Sequence, residues 1–130
     1  MLSDIALRPE LDEVADHIAL WSDRYTPPED QQMPLLDIHP YLGDSFEYLP
    51  RTDEGASLIH GLFAFNYSAL MTHGLSASAL TGLPYALPRL AKGVADQLFL
   101  DDQARWLKAY LNYNEPEFVS EVPAESKVDA

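Results

Sequence analysis

The sequence contains no cysteine among its 130 residues. This absence excludes disulfide bonds, thiolate catalysis and cysteine-ligated zinc or iron–sulfur sites. Long hydrophobic runs are also missing, since no window reaches the ~20 apolar residues that a membrane-spanning helix needs. The first residues, Met-Leu-Ser-Asp-Ile, do not form a basic segment followed by an apolar one, as a secretory signal would. These features predict a cytoplasmic protein with no membrane partner.

Basic residues are scarce, with 8 lysines and arginines against 21 aspartates and glutamates and a net charge of −13. This balance argues against binding to a nucleic-acid backbone or to an anionic lipid surface. An apolar fraction of 47% is enough for a modest core. The length predicts a single domain over residues 1–118, and residues 119–130 are interpreted as a flexible acidic tail.

Several common catalytic and cofactor motifs are missing. There is no G-x-G-x-x-G loop, no Walker loop and no G-x-S-x-G nucleophile elbow. The four histidines show no metal-ligand spacing, so no metal site is predicted. No catalytic residue can be assigned from these patterns.

Hydrophobic periodicity predicts a mainly helical chain with a few short strands, an α+β fold. One helix is predicted over Glu10–Arg24. After residue 75 the chain is again helical, with a break at Thr81-Gly82 and a second helix from Pro84 to Leu100. Asp101-Asp102 is predicted to cap a further helix over Gln103–Asn112, whose Trp106, Leu107, Tyr110 and Leu111 would face inward.

Extended structure is predicted in the middle of the chain. The segments are Leu35–Ile38, Phe46–Leu49 and Leu58–Phe65, with a turn at Leu42-Gly43-Asp44. The apolar, aromatic Leu58–Phe65 is predicted to be a strand buried on both faces. So few strands cannot build a doubly wound sheet, and this apolar strand needs a sheet to pair with.

The junction Asn66–Ala79 carries the strongest functional signal. A Thr-His-Gly segment leads from the predicted strand into a small-residue helix start, where backbone N–H groups can meet an electron-rich ring. Ser76 is interpreted as the cap of that helix, and His73 as a candidate ligand contact. The spacing fits equally well a small-residue helix that packs tightly on a partner.

The run LFAFNYSALMTHGLSASALTGLPYALPRLAKGVADQLFLDD resembles the C-terminal end of flavin-dependent monooxygenases of the two-Rossmann type. The resemblance is nearest to the branch that N-hydroxylates ornithine and lysine, and Met71-Thr72-His73-Gly74-Leu75-Ser76 matches its strand-to-helix segment. It extends over about residues 10–118. Ala77 stands where that branch has an acidic residue, so side-chain hydroxylation of an amino acid is not carried over.

The resemblance implies a site and its cofactors. Asn66, His73, Gly74, Leu75, Ser76 and Ala77 would contact FAD, which is reduced by NADPH and reacts with oxygen. Both nucleotide-binding glycine loops of the full-length enzymes are missing from this sequence. The resemblance therefore implies the small subunit of a split monooxygenase, inactive alone, which completes the flavin and substrate pocket of a larger flavoprotein and its FAD-domain sheet.

Two alternatives remain open. The chain would serve as a non-catalytic interaction or regulatory module derived from such an enzyme, or as a self-associating small-molecule binder. The first predicts a partner whose flavin activity does not depend on this chain, and the second predicts a homodimer without flavin.

Overall fold

The computed structural model describes residues 12–114. The chain forms two units, Met1–Leu100 and Asp101–Ala130. Its described part is mainly helical, which confirms the helical component of the prediction. The α-helices are α1 (Asp12–Ala15), α2 (Trp21–Arg24), α3 (Pro34–Asp37), α4 (Ala56–Ile59), α5 (Leu70–His73) and α6 (Leu83–Leu111). Short 3₁₀ turns lie at Glu29–Gln31, Asp53–Gly55, Tyr67–Ala69 and Gly74–Ala77.

The N-terminal helix is interrupted, so the prediction of one helix over Glu10–Arg24 is wrong within the described residues. Between α1 and α2 the chain is extended, and Ile18 and Leu20 form antiparallel bridges to Pro50 and Pro40. Ile18 is completely buried. Its burial and the backbone pairing on both sides outweigh a helix propensity that is only a few tenths of a kcal/mol per residue.

The predicted extended segment Phe46–Leu49 is confirmed from Glu47 onward, but Phe46 itself has a φ of +73°, and Leu35–Ile38 is not extended. Glu47 and Tyr48 form antiparallel bridges to Phe63 and Leu42. Leu35–Ile38 instead overlaps α3, because Pro34 sits in the first helical turn, where its missing N–H costs nothing. The intervening turn begins at Gly43, whose carbonyl accepts from the Phe46 N–H at 3.2 Å, so it extends further than the predicted Leu42–Asp44.

The predicted strand Leu58–Phe65 is wrong in its first half. Residues 58 and 59 belong to α4, and Gly61 then reverses the chain with a φ of +83°. Only a short extended piece follows, in which Leu62 O accepts from the Tyr48 N–H at 3.0 Å and the Ala64 N–H donates to Phe46 O at 2.8 Å. The pairing therefore occurs within this chain.

The predicted break at Thr81-Gly82 is confirmed, and α6 starts directly after it. The separate helix over Gln103–Asn112 is not found, because α6 continues to Leu111. Asp102 lies inside the helix and pairs with Arg105 three residues later at 2.8 Å. A pair at this spacing supports a helix interior, which explains why the two aspartates do not act as a cap.

The core of residues 12–100 combines the extended segments with one face of α6. Gly93 brings α6 close to the turn at Ser45, since a Cβ on Gly93 would lie 2.7 Å from Ser45 Oγ. Leu90 contacts the core, whereas Leu87 and Leu98 on the same helix are 49% and 62% exposed. The buried hydrophobic residues of the core are Ile18, Leu42, Phe46, Tyr48, Ile59, Ala64, Ala69, Ala77 and Ala86.

The described part of the second unit, residues 101–114, is the end of α6 and the three residues that follow it. Its large apolar side chains face solvent in this chain, in contrast to the predicted inward stripe. The exposed fractions are 53% for Trp106, 59% for Leu107, 78% for Tyr110 and 71% for Leu111. This segment thus has no core of its own to cover them.

Asp23 connects the start of α2 with Arg51. Its Oδ2 accepts from the Leu20 N–H at 2.8 Å and from Arg51 Nε at 2.9 Å. Partial burial acts to raise the pKa of Asp23, but these hydrogen bonds and the charges of Arg51 and Arg24 outweigh it, so the pKa is lowered.

We expect Asp23→Asn to lower the free energy of unfolding at neutral pH by at most about 1 kcal/mol, since solvent screens this half-exposed pair. A lowered folded-state pKa gives stability that is present above the ordinary pKa of about 4 and is lost as the pH falls through the folded value. Chemical denaturation between pH 7 and pH 2 measures both effects. Equal stability of Asp23→Asn and wild type at pH 7, with parallel curves below pH 4, would contradict the assignment.

Candidate functional site

A cleft of about 280 Å³ lies within residues 12–100, where α5, the following 3₁₀ turn and the start of α6 meet the turn before Glu47. Its walls come from segments that are far apart in the sequence. They combine aromatic rings, hydroxyl groups and one cation. The lining residues are Phe46, Thr72, His73, Ser76, Tyr85, Ala86 and Arg89.

Phe46 has an unusual backbone conformation at the wall of this cleft. Its φ is +73°, in the left-handed region that a bulky residue rarely adopts. The side chain is 1% exposed, with its ring 4.2 Å from the His73 ring and in edge contact with Phe65 at 5.2 Å between centroids. Such strain persists only where the surroundings enforce it and is concentrated at functional sites, so Phe46 marks this cleft as the candidate site.

His73 is held in a single orientation. Its Nε2 lies 2.9 Å from the carbonyl oxygen of Gly43. Because a carbonyl only accepts, Nε2 carries the proton and donates. In the neutral ring Nδ1 is then the unprotonated nitrogen. The contacts with Gly43 and Phe46 therefore fix both the plane and the tautomer of the His73 ring.

Arg89 brings a positive charge to the cleft, and none of the described residues that line it carries a carboxylate. Tyr85 lies four residues before Arg89 and so on the same face of α6. In the described part of the chain, Arg51, Lys92 and Arg105 form ion pairs, whereas Arg89 forms none. The cleft is thus a local basic site on an acidic protein.

The six residues expected at a flavin are distributed over two places. His73 and Ser76 line the cleft. Asn66 does not line the cleft. It caps the 3₁₀ turn Tyr67–Ala69, where its Oδ1 accepts hydrogen bonds from the Ser68 N–H at 2.9 Å and from the Ser68 hydroxyl. Gly74, Leu75 and Ala77 lie in the 3₁₀ turn beside the cleft, where Leu75 is exposed and Ala77 buried.

The helix start expected after His73 is not present. Gly74–Ala77 is a four-residue 3₁₀ turn, which is too short to provide the positive end of a long helix. The interpretation of Ser76 as an N-cap is also wrong, because its hydroxyl donates to the His73 carbonyl at 2.8 Å. The Gly74 N–H already donates to Leu70 O.

Gly74 nevertheless fits the approach of a flat ring to the backbone. Its φ of +63° and ψ of −152° suit glycine alone, and a Cβ there would have no atom of residues 12–114 within 4 Å. Open space beside a glycine is what a flavin edge requires. The exposed backbone at Gly74 therefore leaves space for one edge of a flat ring, and the flavin contact at these residues stays a prediction.

Sequence reasoning missed Phe46, Thr72, Tyr85 and Arg89. The signal that could have indicated two of them is the spacing of Tyr85 and Arg89 on one helix face. Phe46 gave no such signal, since a positive φ is suggested in sequence mainly by glycine, asparagine or aspartate.

The remaining histidines do not form a metal site. His39 is 1% exposed, and His60 Nε2 lies 3.2 Å from Gln97 Nε2 beside a second cavity of about 200 Å³. Within residues 12–114, no group of three His, Asp or Glu side chains is arranged to hold a metal ion. Among the described helices, none combines the length and apolar character needed to cross a membrane.

In comparisons with known proteins, the chain is similar to a flavin-dependent hydroxylase. The relative is the FAD-dependent urate hydroxylase of Xanthomonas campestris pv. campestris, which is 58% identical over 123 residues, or 95% of this chain. The chain spans about a quarter (26%) of that protein's length. No protein-family model and no solved structure matches the chain.

This similarity supports a function related to flavin monooxygenases and to FAD, and it confirms that part of the resemblance predicted from the sequence. The relation to the N-hydroxylating branch stays a prediction.

Proposed function

We propose that this chain is the small subunit of a FAD- and NADPH-dependent hydroxylase that acts on urate or a closely related purine. A larger flavoprotein subunit in the cytoplasm would bind most of the FAD and the NADPH. This chain would complete its flavin and substrate pocket. The observation that carries the proposal is the 58% identity to a FAD-dependent urate hydroxylase over nearly the whole chain.

Exposed apolar side chains support the need for a larger subunit. In residues 12–100, Leu98, Phe99 and Leu100 are each more than half exposed, and in residues 101–114 Trp106 and Tyr110 are as well. Consecutive exposed apolar residues are uncommon on proteins that function alone and are typical of interaction surfaces. The proposal assigns these surfaces to the flavoprotein subunit.

The same proposal includes completion of the FAD-domain sheet, through a segment that is shorter than the predicted strand Leu58–Phe65. The edge of residues 62–64 that faces Phe46–Tyr48 is already paired. Backbone groups alternate between the two edges of an extended segment. The N–H groups of Phe63 and Phe65 lie on the second edge and donate to no backbone carbonyl among residues 12–114. This second edge is proposed to join the sheet of the FAD domain.

Within the proposed pocket, each residue of this chain has a limited role. FAD, when bound, supplies the redox and oxygen chemistry. Gly74 leaves room for one edge of its ring, and His73 is oriented by Gly43 and Phe46 to contact ligand through Nδ1. Arg89 adds a positive charge. Catalysis by such residues consists of positioning and electrostatics.

The test is purification of this chain from its native host through an affinity tag. A visible flavin absorption band together with a larger co-purifying protein is expected, followed by urate-dependent oxidation of NADPH. A colourless complex with a partner would instead support the interaction module, and a colourless homodimer would support the self-associating binder. Either result would contradict the proposed function.

A further inference from the structure

We propose that the cleft between α5 and α6 binds a planar heterocyclic anion, with Arg89 as the charge partner of that anion. Its assignment to the substrate, rather than to another planar anion, rests on the proposed function. Binding to the cleft itself is argued from this chain alone.

Charge selects an anion. The chain carries a net charge of −13, so its overall field repels anionic ligands. The lining of the cleft has the opposite charge, because Arg89 is part of it and, among residues 12–114, no aspartate or glutamate is. A guanidinium also presents a planar set of N–H donors, which matches two adjacent acceptors in the plane of a ring.

The walls and the size of the cleft favour a flat ring system as the ligand. The Phe46 and His73 rings lie 4.2 Å apart and form one wall, and Tyr85 lies on the same face of α6 as Arg89. The volume of about 280 Å³ is at the small end of ligand cavities. It has room for a fused heterocycle of purine size.

Two hydroxyl groups supply polar contacts of both kinds. Thr72 Oγ1 accepts from the Leu42 N–H at 3.4 Å, so its own O–H is left to donate. Ser76 Oγ donates to His73 O at 2.8 Å, so its lone pairs are left to accept. A ring that carries both carbonyl and N–H groups, as urate does, meets a donor and an acceptor here.

The test is calorimetric titration of the full chain with urate, with the neutral purine hypoxanthine and with lumiflavin as the flavin-ring probe. Urate is expected to bind, and Arg89→Gln to weaken it about 10- to 100-fold, the range for a lost charged hydrogen bond. Lys92→Gln is the matched control on the same helix, because Lys92 pairs with Asp96 outside the cleft. It is expected to leave urate binding unchanged.

Three results would overturn the inference. They are the absence of urate binding, equal urate affinity in Arg89→Gln and wild type, and lumiflavin binding in place of urate. Hypoxanthine binding that falls as steeply as urate binding in Arg89→Gln would also contradict a charge-based role. Thermal melting of each variant checks folding, and Arg89→Lys, which keeps the charge, is expected to retain part of the affinity.

The complex with the larger subunit separates this inference from the proposed function. In it, Arg89→Gln is expected to raise the KM for urate about 10-fold or more, whereas Lys92→Gln, outside the cleft, is expected to leave that KM unchanged. A wild-type complex without flavin contradicts the proposed function and leaves the titration of the chain as the test of the cleft. A flavin complex whose KM is insensitive to Arg89→Gln contradicts the inference alone.

Discussion

Phe46→Ala is expected to lower the free energy of unfolding by about 3–5 kcal/mol, the range for removing a buried aromatic ring. The Phe46 side chain is 1% exposed and lies between the Phe65 and His73 rings. Its loss leaves a cavity at the centre of the core and at the wall of the cleft. Equilibrium denaturation of the full chain with urea measures the change.

The backbone conformation of Phe46 gives this prediction a second part. A φ of +73° costs a non-glycine residue about 1–2 kcal/mol. At an ordinary position glycine is less stable than alanine by about 0.5–1 kcal/mol. At position 46 the relief of this strain offsets the ordinary disadvantage of glycine, so Phe46→Gly is expected to be at least as stable as Phe46→Ala.

Tyr67→Ala is the control for the loss of an aromatic ring, since Tyr67 is 56% exposed. Its effect is expected to stay within about 0.5 kcal/mol of wild type. A loss of similar size in Tyr67→Ala and Phe46→Ala would show that the position of Phe46 has no special weight. A glycine variant clearly less stable than the alanine variant would argue against strain at this residue.

The sequence predicted the parts of the fold that depend on local signals. Thr81-Gly82 lies in the turn of residues 78–82, and α6 begins directly after it, as expected from a glycine followed by Pro84. The extended Glu47-Tyr48 pair is another example. Local patterns failed where tertiary contacts determine the conformation. Ile18 has helical spacing, but it is buried and forms an antiparallel bridge to Pro50.

The candidate site was predictable only where it follows one continuous motif. His73 and Ser76 come from that motif and line the cleft. Phe46 and Arg89 lie 27 residues before and 16 residues after His73, so only the folded chain brings them together. An arginine on a helix usually lies on a solvent-exposed face, so the sequence pattern predicted no functional role for Arg89.

The small residues of the Asn66–Ala79 junction and its surroundings serve two purposes. A Cβ on Gly82 would lie 2.6 Å from the backbone oxygen of Ser76, so Gly82 lets the start of α6 pack directly on the 3₁₀ turn. This is the tight packing that the sequence left open as an alternative, although it occurs within the chain. Gly74 differs, because the space beside it is open.

That difference makes Gly74→Val the second large effect. In the flavin-containing complex it is expected to lower urate-dependent NADPH oxidation by about 100-fold, the loss that a displacement of ~1 Å causes at a reacting centre. The valine side chain would occupy the space where the flavin edge is proposed to approach. The chain itself is expected to accommodate the new Cβ, since no atom of the described residues lies within 4 Å of it, and gel filtration shows whether the subunits remain assembled.

Gly61→Val is the matched control, because Gly61 has a similar φ of +83° but lies beside the second cavity. Both variants carry the same kind of backbone strain, about 1–3 kcal/mol. Only Gly74→Val changes the open side of the 3₁₀ turn. Turnover and gel filtration are measured for both complexes. Wild-type turnover in Gly74→Val, or an equal loss in both variants, would remove Gly74 from the flavin site and assign its positive φ to the turn alone.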